Sequence, residues 1–348
     1  MLPIKNQSNE KITILLSQNY GGGAETAMRE LHDRLRAKDY NVEIWGINED
    51  KEIQIESEFS FGRNKFGGFF HTFNVIRKFR SKCKSEKVQT IILNCDLPEL
   101  FGIFSPWKTR LIIVEQSIYP WMGRRKFGRL VRLLLTLRES LWVRIFDSQP
   151  VWAQGSRTIV LGPNLISGVI PSSEKRNRAS NIKRIVFIGR FHYQKNPELL
   201  IQLANEAQLP LLMVGDGDLK DKLIQAASKS SQSVEFTGFV SNPWALLRDG
   251  DILALTSRFE GKPLVIEEAL ARGVPVISTK LDGLESEYRG FPVFFADNYQ
   301  ELLSTLRSIE FRLEEWGRDW SFPELILREN DQKLELWERI LKEVAGPQ

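Results

Sequence analysis

The stretch Thr256-Ser-Arg-Phe-Glu-Gly-Lys-Pro-Leu-Val-Ile-Glu-Glu-Ala-Leu-Ala-Arg-Gly-Val-Pro-Val276 decides the reading of this chain. It follows the apolar run Ile252–Leu255, so it reads as a strand, a tight Glu-Gly-Lys-Pro turn and a helix. The helix opens at or near Pro263, where proline is pre-organised for a first helical turn. Free amides at such a helix start suit an anion, in particular a phosphate. Glu260 stands in the turn and Glu268 inside the helix, so one carboxylate reaches a ligand from the loop and the other from the helix face. A carboxylate only accepts hydrogen bonds, which suits pairs of sugar hydroxyls.

Outward from this unit, short β-branched runs alternate with amphipathic stretches, the signature of βαβ units and parallel sheets. On the carboxyl side of Arg184 the strands read Ile185–Ile188, Leu211–Val214, Val234–Phe236, Ile252–Leu255, Val274–Ile277 and Val293–Phe295. The helices between them lie near 196–207, 218–229, 263–272 and 298–308, and a last one follows Pro323 to about Glu343. A first alternation opens with Ile12–Leu16, the glycine cluster Gly21–Gly23 and a helix over 24–39. Strands follow at Val42–Ile47, Thr90–Leu93, Leu111–Val114 and Thr158–Leu161, and 165–181 reads as a linker rich in Ser, Gly, Pro, Asn and charge. Two doubly wound α/β halves with a cleft between them follow, and ligands of such sheets sit beyond the carboxyl ends of the strands.

The chain's 348 residues suit two domains, and 42% hydrophobic with 26% charged residues fits a globular enzyme. Two cysteines, Cys83 and Cys95, support neither a disulfide framework nor a four-ligand zinc site, and three scattered histidines form no metal motif. No apolar run reaches the length of a membrane span, and the first ten residues lack the apolar centre of a signal peptide, so a cytoplasmic location is expected. The triplets Asp216–Asp218 and Asp249–Asp251 could suggest a metal, but they read as a helix cap and a turn. His192 reads as an inert loop residue.

Residues 1–150 carry a net charge of +7 and the remainder −3. The excess concentrates in 63–87, with eight Lys/Arg against one acid among five phenylalanines, and in 119–144. In the latter, Arg125, Arg129 and Arg132 fall on one helical stripe, while Leu130, Leu133, Leu134, Leu137 and Leu141 fall on another. An interfacial surface on anionic lipid is expected from both segments, and a peripheral position at the membrane with it. No nucleic-acid-binding module accompanies the charge.

Glu260 and Glu268, framed by Gly261, Pro263, Ala269, Gly273 and Pro275, resemble the signature of retaining GT-B glycosyltransferases of family 4. Three further segments agree in order: Phe187-Ile-Gly-Arg-Phe-His-Tyr-Gln-Lys-Asn196, Met213-Val-Gly-Asp-Gly217 and Phe236-Thr-Gly-Phe-Val240. At the amino end, Gly22-Gly-Ala-Glu25 resembles the family's loop that closes over the phosphates. The resemblance implies the GT-B fold, with an acceptor-binding Rossmann-like domain over 1–164, a donor-binding one over 165–324 and a carboxyl-terminal helix at about 325–348 that packs back on the first. It implies a metal-independent, retaining transfer from a nucleotide-sugar, a UDP-sugar in the first instance, to a hydroxyl of a glycan or lipid-linked acceptor, with no cofactor.

By the same resemblance Glu260, Arg190 and Lys195 carry the chemistry, the two cations balancing the leaving diphosphate. Gly22, Gly23, Gly189 and Gly215 line the donor's phosphates, Phe239 and Val240 meet the base, and Gly261, Leu264, Val265 and Glu268 complete the donor site. Many relatives carry a histidine after the fourth strand of the first domain. Here the segment reads Val114-Glu-Gln-Ser-Ile118, so Glu115 and Gln116 are the sugar-side candidates, and Gln116 can hydrogen-bond but not titrate. Two rivals remain open, a non-catalytic nucleotide-sugar-binding protein and a sugar-nucleotide epimerase of the same fold. The epimerase needs titratable groups in the cleft, where this chain has few histidines to offer. The missing histidine keeps the binding protein open, while intact Glu260, Glu268, Arg190 and Lys195 argue against it.

Overall fold

The computed structural model describes residues 10–18, 22–49, 58–64, 66–117, 120–138, 140–146, 149, 159–166, 182–281, 284–309, 313 and 322–345. The chain divides into two compact units, Met1–Ile166 with Asp331–Gln348, and Ser167–Asn330. Of the linker expected over 165–181, residues 167–181 lie outside the described residues, as does Gly21 of the amino-terminal glycine cluster.

The first unit is a seven-stranded sheet in the order β3-β2-β1-β4-β5-β6-β7, parallel throughout. Its elements in chain order are β1 (Ile12–Leu16), α1 (Gly23–Arg36), β2 (Val42–Asn48), β3 (Glu58–Arg63), α2 (Gly68–Ser85), β4 (Thr90–Asn94), α3 (Asp96–Ile103), β5 (Arg110–Glu115), α4 (Arg125–Thr136), β6 (Ser140–Arg144) and β7 (Ile159–Leu161). Strands β1 and β4 are buried at every position, as expected of a parallel sheet covered on both faces. Trp45, Leu15, Leu93, Ile113 and Trp142 stand in one register row across five strands. Phe79 of α2, Phe101 of α3 and Val131 and Leu135 of α4 pack with that row into one core cluster, so these three helices share a face of the sheet.

The second unit is a six-stranded parallel sheet in the order β10-β9-β8-β11-β12-β13. It comprises β8 (Arg184–Ile188), α5 (Glu198–Ala207), β9 (Leu211–Val214), α6 (Lys220–Ala227), β10 (Val234–Gly238), β11 (Asp251–Leu255), α7 (Leu264–Leu270), β12 (Val276–Thr279), β13 (Val293–Ala296) and α8 (Tyr299–Arg307). Phe187, Phe191, Met213, Ile252, Ile277 and Leu306 anchor its core. The last helix, α9 (Phe322–Ala345), belongs to the first unit from Asp331 onward. There Trp337 Nε1 donates to the Pro163 carbonyl at 2.9 Å, and Lys38 pairs with Glu338 at 2.6 Å. A Cβ on Gly162 would lie 2.5 Å from Val143 and 3.1 Å from Trp337, so α9 covers the sheet face opposite α2, α3 and α4.

Two doubly wound α/β units therefore stand as the alternation required. In each, strand order reverses beside the first strand, between β1 and β4 and between β8 and β11, which is where such sheets hold ligands. The helical stripe expected over 119–144 needs two corrections. Leu141 belongs to strand β6, and Arg132 does not share the solvent face of Arg125 and Arg129 but is 5% exposed, gripped by buried carboxylates. Pro263 caps α7 and the helix starts one residue later, at Leu264.

Candidate active site

The loops that leave β8 and β11, neighbouring strands at the reversal of the second sheet, are bound to one another. After β8 the backbone passes Gly189 and Arg190 into a single 3₁₀ turn, Tyr193–Lys195. His192 caps that turn, its Nδ1 accepting the Gln194 N–H at 3.2 Å. Asn196 ends it in the left-handed region at φ 48°, which asparagine tolerates better than most residues. From the β11 side, Thr256 Oγ1 donates to the Asn196 carbonyl at 2.9 Å, and the Arg258 N–H to the Gln194 carbonyl at 2.8 Å. Arg258 Nη2 donates to Asn196 Oδ1 at 2.7 Å while its guanidinium lies 4.5 Å from the Tyr193 ring centre.

This scaffold brings the sequence-expected carboxylate and lysine together. Lys195 Nζ lies 2.6 Å from Glu260 Oε1, and Gln194 Nε2 donates to Glu260 Oε2 at 3.2 Å and to the Phe259 carbonyl at 3.1 Å. Glu260 is 8% exposed and Lys195 half-buried, so the pair is largely withdrawn from water. Arg190, by contrast, is exposed, and its guanidinium has no hydrogen bond or ion pair among the described residues. An exposed guanidinium on the loop that carries Lys195 can turn to an anion without breaking an interaction with any described residue.

The glycines here are required by close approach. A Cβ on Gly215, where φ is +141°, would lie 1.9 Å from the Gly189 carbonyl oxygen, and one on Gly217 would lie 2.4 Å from that of Phe191. The Gly189 N–H donates to the Val214 carbonyl at 3.0 Å and the Gly215 N–H to the Gly238 carbonyl at 2.9 Å. The ends of β8, β9 and β10 are thereby drawn together. Beyond β10, Phe239 is 81% exposed and Val240 half-buried.

On α7, Leu264 is buried while Val265 and Glu268 are half-buried, as is Gly261 in the turn before it. Glu267, which no sequence argument singled out, is 3% exposed and pairs at 3.0 Å with Lys262, which also approaches Glu287 at 3.6 Å. Burial alone would lower the Lys262 pKa, but the two carboxylates outweigh it and hold it above the usual lysine value. This pair fixes the turn that carries Glu260 to the helix that carries Glu268. Gln194, Arg258 and Lys262 were thus the supporting residues that sequence missed. Their only local signal was their place inside the two motifs.

In the first unit, Gly22 caps α1 and its N–H donates to the Glu25 carboxylate at 3.0 Å, with Gly23 exposed as the first helical residue. Gln116, half-buried beyond β5, forms a reciprocal amide pair with Asn164 at 3.0 and 2.9 Å. Glu115 has a different environment from its neighbour. It is 2% exposed, and both its oxygens accept from Arg132 at 2.9 Å. Arg132 also donates to Glu99 at 2.6 and 3.0 Å, and Trp121 Nε1 donates to Glu99 at 2.7 Å. Its carboxylate is therefore committed to the core, which leaves Gln116 as the sugar-side candidate of the two. Burial raises the Glu99 pKa to about 7 in spite of the opposing pull of Arg132.

Of the two Asp-Gly-Asp triplets, the first does not cap α6 as expected, since Leu219 stands at the cap, and its Asp216 accepts from the Gly217 N–H and from Lys220. In the second, Asp251 opens β11 and holds Arg184 of β8 in two contacts at 2.9 and 2.7 Å. Among the described residues no three His, Cys, Asp or Glu side chains gather as a metal site, and no helix is long and apolar enough to cross a membrane.

With this geometry in hand, the family model for glycosyl transferases group 1 matches residues 171–302. A Campylobacter jejuni alpha-1,4-N-acetyl-D-galactosaminyltransferase, acting on a GalNAc- and diNAcBac-containing PP-undecaprenol, is 26% identical over 319 residues, 84% of each chain. The amylovoran biosynthesis glycosyltransferase AmsD of Erwinia amylovora is 29% identical over 161 residues, 42% of this chain and 46% of its own. Among solved structures, Anabaena HepE in complex with UDP and glucose superposes with a TM-score of 0.78 at 18% identity, covering 97% of this chain and 100% of that one. That last likeness is one of fold. The stretch that the family model matches falls within the second unit and includes both Lys195 and Glu260.

Proposed function

We propose that this chain is a retaining glycosyltransferase of family 4 that moves a sugar from a UDP-sugar to a hydroxyl of a lipid-linked or growing glycan in cell-surface polysaccharide or lipopolysaccharide assembly. The observation that carries the reading is the Lys195–Glu260 pair at the strand reversal of the second sheet, with the exposed Arg190, without a side-chain partner among the described residues, on the same loop. The donor class follows the UDP and glucose held by HepE, and the acceptor class follows the undecaprenol-linked glycan of the Campylobacter relative. Since the curated relatives are transferases, neither a non-catalytic binding protein nor an epimerase is favoured.

In this reading the bond between the anomeric carbon and the diphosphate oxygen breaks while the acceptor hydroxyl oxygen bonds to the same face of the sugar, its proton passing to the departing diphosphate. Negative charge grows on the departing diphosphate. Arg190 and Lys195 are cations already in place to stabilise it, which lowers the barrier because they interact more strongly with the transition state than with the ground state. Glu260 exchanges Lys195 for donor-sugar hydroxyls, Glu268 accepts from the ribose hydroxyls, and the loop at Gly22 and Gly23 closes over the phosphates through backbone amides. In this scheme the two cations take the part a divalent ion plays elsewhere, so no metal enters it. The enzyme works from the cytoplasm at the inner face of the membrane, drawn there by the basic segments 63–87 and 119–144, of which Lys65, Tyr119 and Glu139 lie outside the described residues.

The test is a screen of UDP-, GDP- and ADP-sugars for diphosphate release and transfer in the presence of chelator, with the product's anomeric configuration read by NMR. UDP release that persists in chelator, with a retained anomer, is the expected result. An inverted product, or turnover that stops on chelation and returns with a divalent metal, would overturn the mechanism.

A further inference from the structure

Helix α4 has two apolar faces. Gly128, Val131 and Leu135 are buried against the first sheet. On the other side Phe127, Leu130, Leu133 and Leu134, followed by Leu137 at the helix end, are 45, 52, 52, 38 and 66% exposed. At about 100° per residue these five positions occupy one arc of the helix. Arg129 and then Arg125 lie beyond one edge of that arc, and Lys126 falls within it; all three are exposed. The segment 116–138 contains no aspartate or glutamate. A soluble surface rarely leaves so many large aliphatic side chains contiguous and outward without a use for them.

Helix α2 lies on the same sheet face, and it repeats the pattern: Phe66 just before it and Phe73 within it are 96 and 49% exposed, with Arg77, Lys78 and Lys84 exposed farther along. Aliphatic and aromatic side chains edged by cations, with no acid among those of α4, complement an anionic bilayer, whose phosphates take the cations while its acyl boundary takes the leucines. A protein partner of that shape would need a matching acidic rim around an apolar groove.

We infer that the outward face of α4, between Phe127 and Leu137, is the lipid-docking surface of this protein, with an anionic bilayer as its occupant. This rests on the membrane part of the reading above and makes it specific, because it assigns the contact to leucines that ordinary packing would have buried. It also assigns the basic residues a second place, at the headgroups bordering the leucines.

The experiment is co-sedimentation of the full chain with phosphatidylcholine vesicles, with and without phosphatidylglycerol. It compares wild type with Leu130→Ser/Leu133→Ser/Leu137→Ser and with Arg125→Gln/Arg129→Gln, and follows thermal unfolding and UDP release in lipid-free solution in parallel. Wild type is expected to pellet with the anionic vesicles. The serine variant should lose roughly tenfold or more of its vesicle affinity while its unfolding and UDP release stay as in wild type. The glutamine variant should lose the preference for phosphatidylglycerol. Serine-variant binding within about twofold of wild type would overturn the assignment of the surface while leaving membrane association standing. Wild type that binds neither vesicle would overturn both. A lipid-free dimer that the serine substitutions dissolve would assign the face to a second copy of this chain instead.

Discussion

Lys195 Nζ sits 2.6 Å from Glu260 Oε1, an ion pair that joins the loop after β8 to the loop after β11 at the reversal of strand order in the second sheet. The two residues are 65 positions apart and meet because β8 and β11 are hydrogen-bonded neighbours. Glu260→Gln keeps the shape and removes the charge, so transfer should fall by roughly 10²–10³-fold with the fold intact. Lys195→Met instead leaves a mostly buried carboxylate without its cation, and denaturation should show a loss of about 1–3 kcal/mol beside the loss of turnover. A Lys195→Met protein as stable as wild type would show that the pair does not matter to the fold.

Arg190 offers the reverse test. Its guanidinium is exposed and has no partner among the described residues, so Arg190→Ala should leave stability within about 0.5 kcal/mol of wild type. Steady-state kinetics should nevertheless show kcat/KM for the nucleotide-sugar down by about 10²-fold or more, as removal of one charge-stabilising group requires. An active Arg190→Ala enzyme would remove this residue from the diphosphate site.

Gly215 admits no side chain, since a Cβ there would stand 1.9 Å from the Gly189 carbonyl oxygen, a backbone atom that cannot rotate away. Gly215→Ala is expected to push β8 and β9 apart at their ligand-facing ends and to cost about 2–4 kcal/mol. Gly238→Ala is the control. Its φ of +73° is strained for alanine but nothing lies within 4 Å of the added carbon, so its cost should stay near 1 kcal/mol. Urea denaturation of the two variants distinguishes a packing clash from a conformational one.

Burial holds the Glu99 carboxyl at about 7 against an ordinary value of 4.5. Between those values the folded state keeps a proton that the unfolded chain has released, so stability falls as pH rises through that window. The loss is roughly 1–3 kcal/mol and is complete above about pH 7. Glu99→Gln should flatten the dependence, which chemical denaturation at a series of pH values between 5 and 8 would show. The same network predicts a large cost for its cation. Arg132→Met leaves Glu99 and Glu115 buried without it and should destabilise the first unit by about 3–5 kcal/mol.

The two sheets were legible in sequence because parallel strands covered on both faces must be apolar throughout. Ile12–Leu16, Thr90–Leu93 and Ile185–Ile188 are therefore marked by composition alone. The donor-side motifs were legible for a related reason. Each lies at the carboxyl end of such a strand, so finding the strand finds the loop. Strand β3 escaped because an edge strand alternates with polar residues, and β6 because Leu141 continues the leucine spacing of α4 past the point where the helix ends.

Sequence by itself determined which residues are apolar, where the strands end and which charged groups follow them. Tertiary structure alone decided which face of α4 turns inward. Two apolar arcs competed for the sheet, and the one that turned inward carries Gly128, where Trp121 folds in so closely that a Cβ would lie 2.2 Å from it. That choice sends the bulkier leucines outward and brings Arg132 onto Glu99 and Glu115. Periodicity measures how apolar residues are spaced along a helix. It carries no information about the surface that another part of the chain, far away in sequence, presents to it.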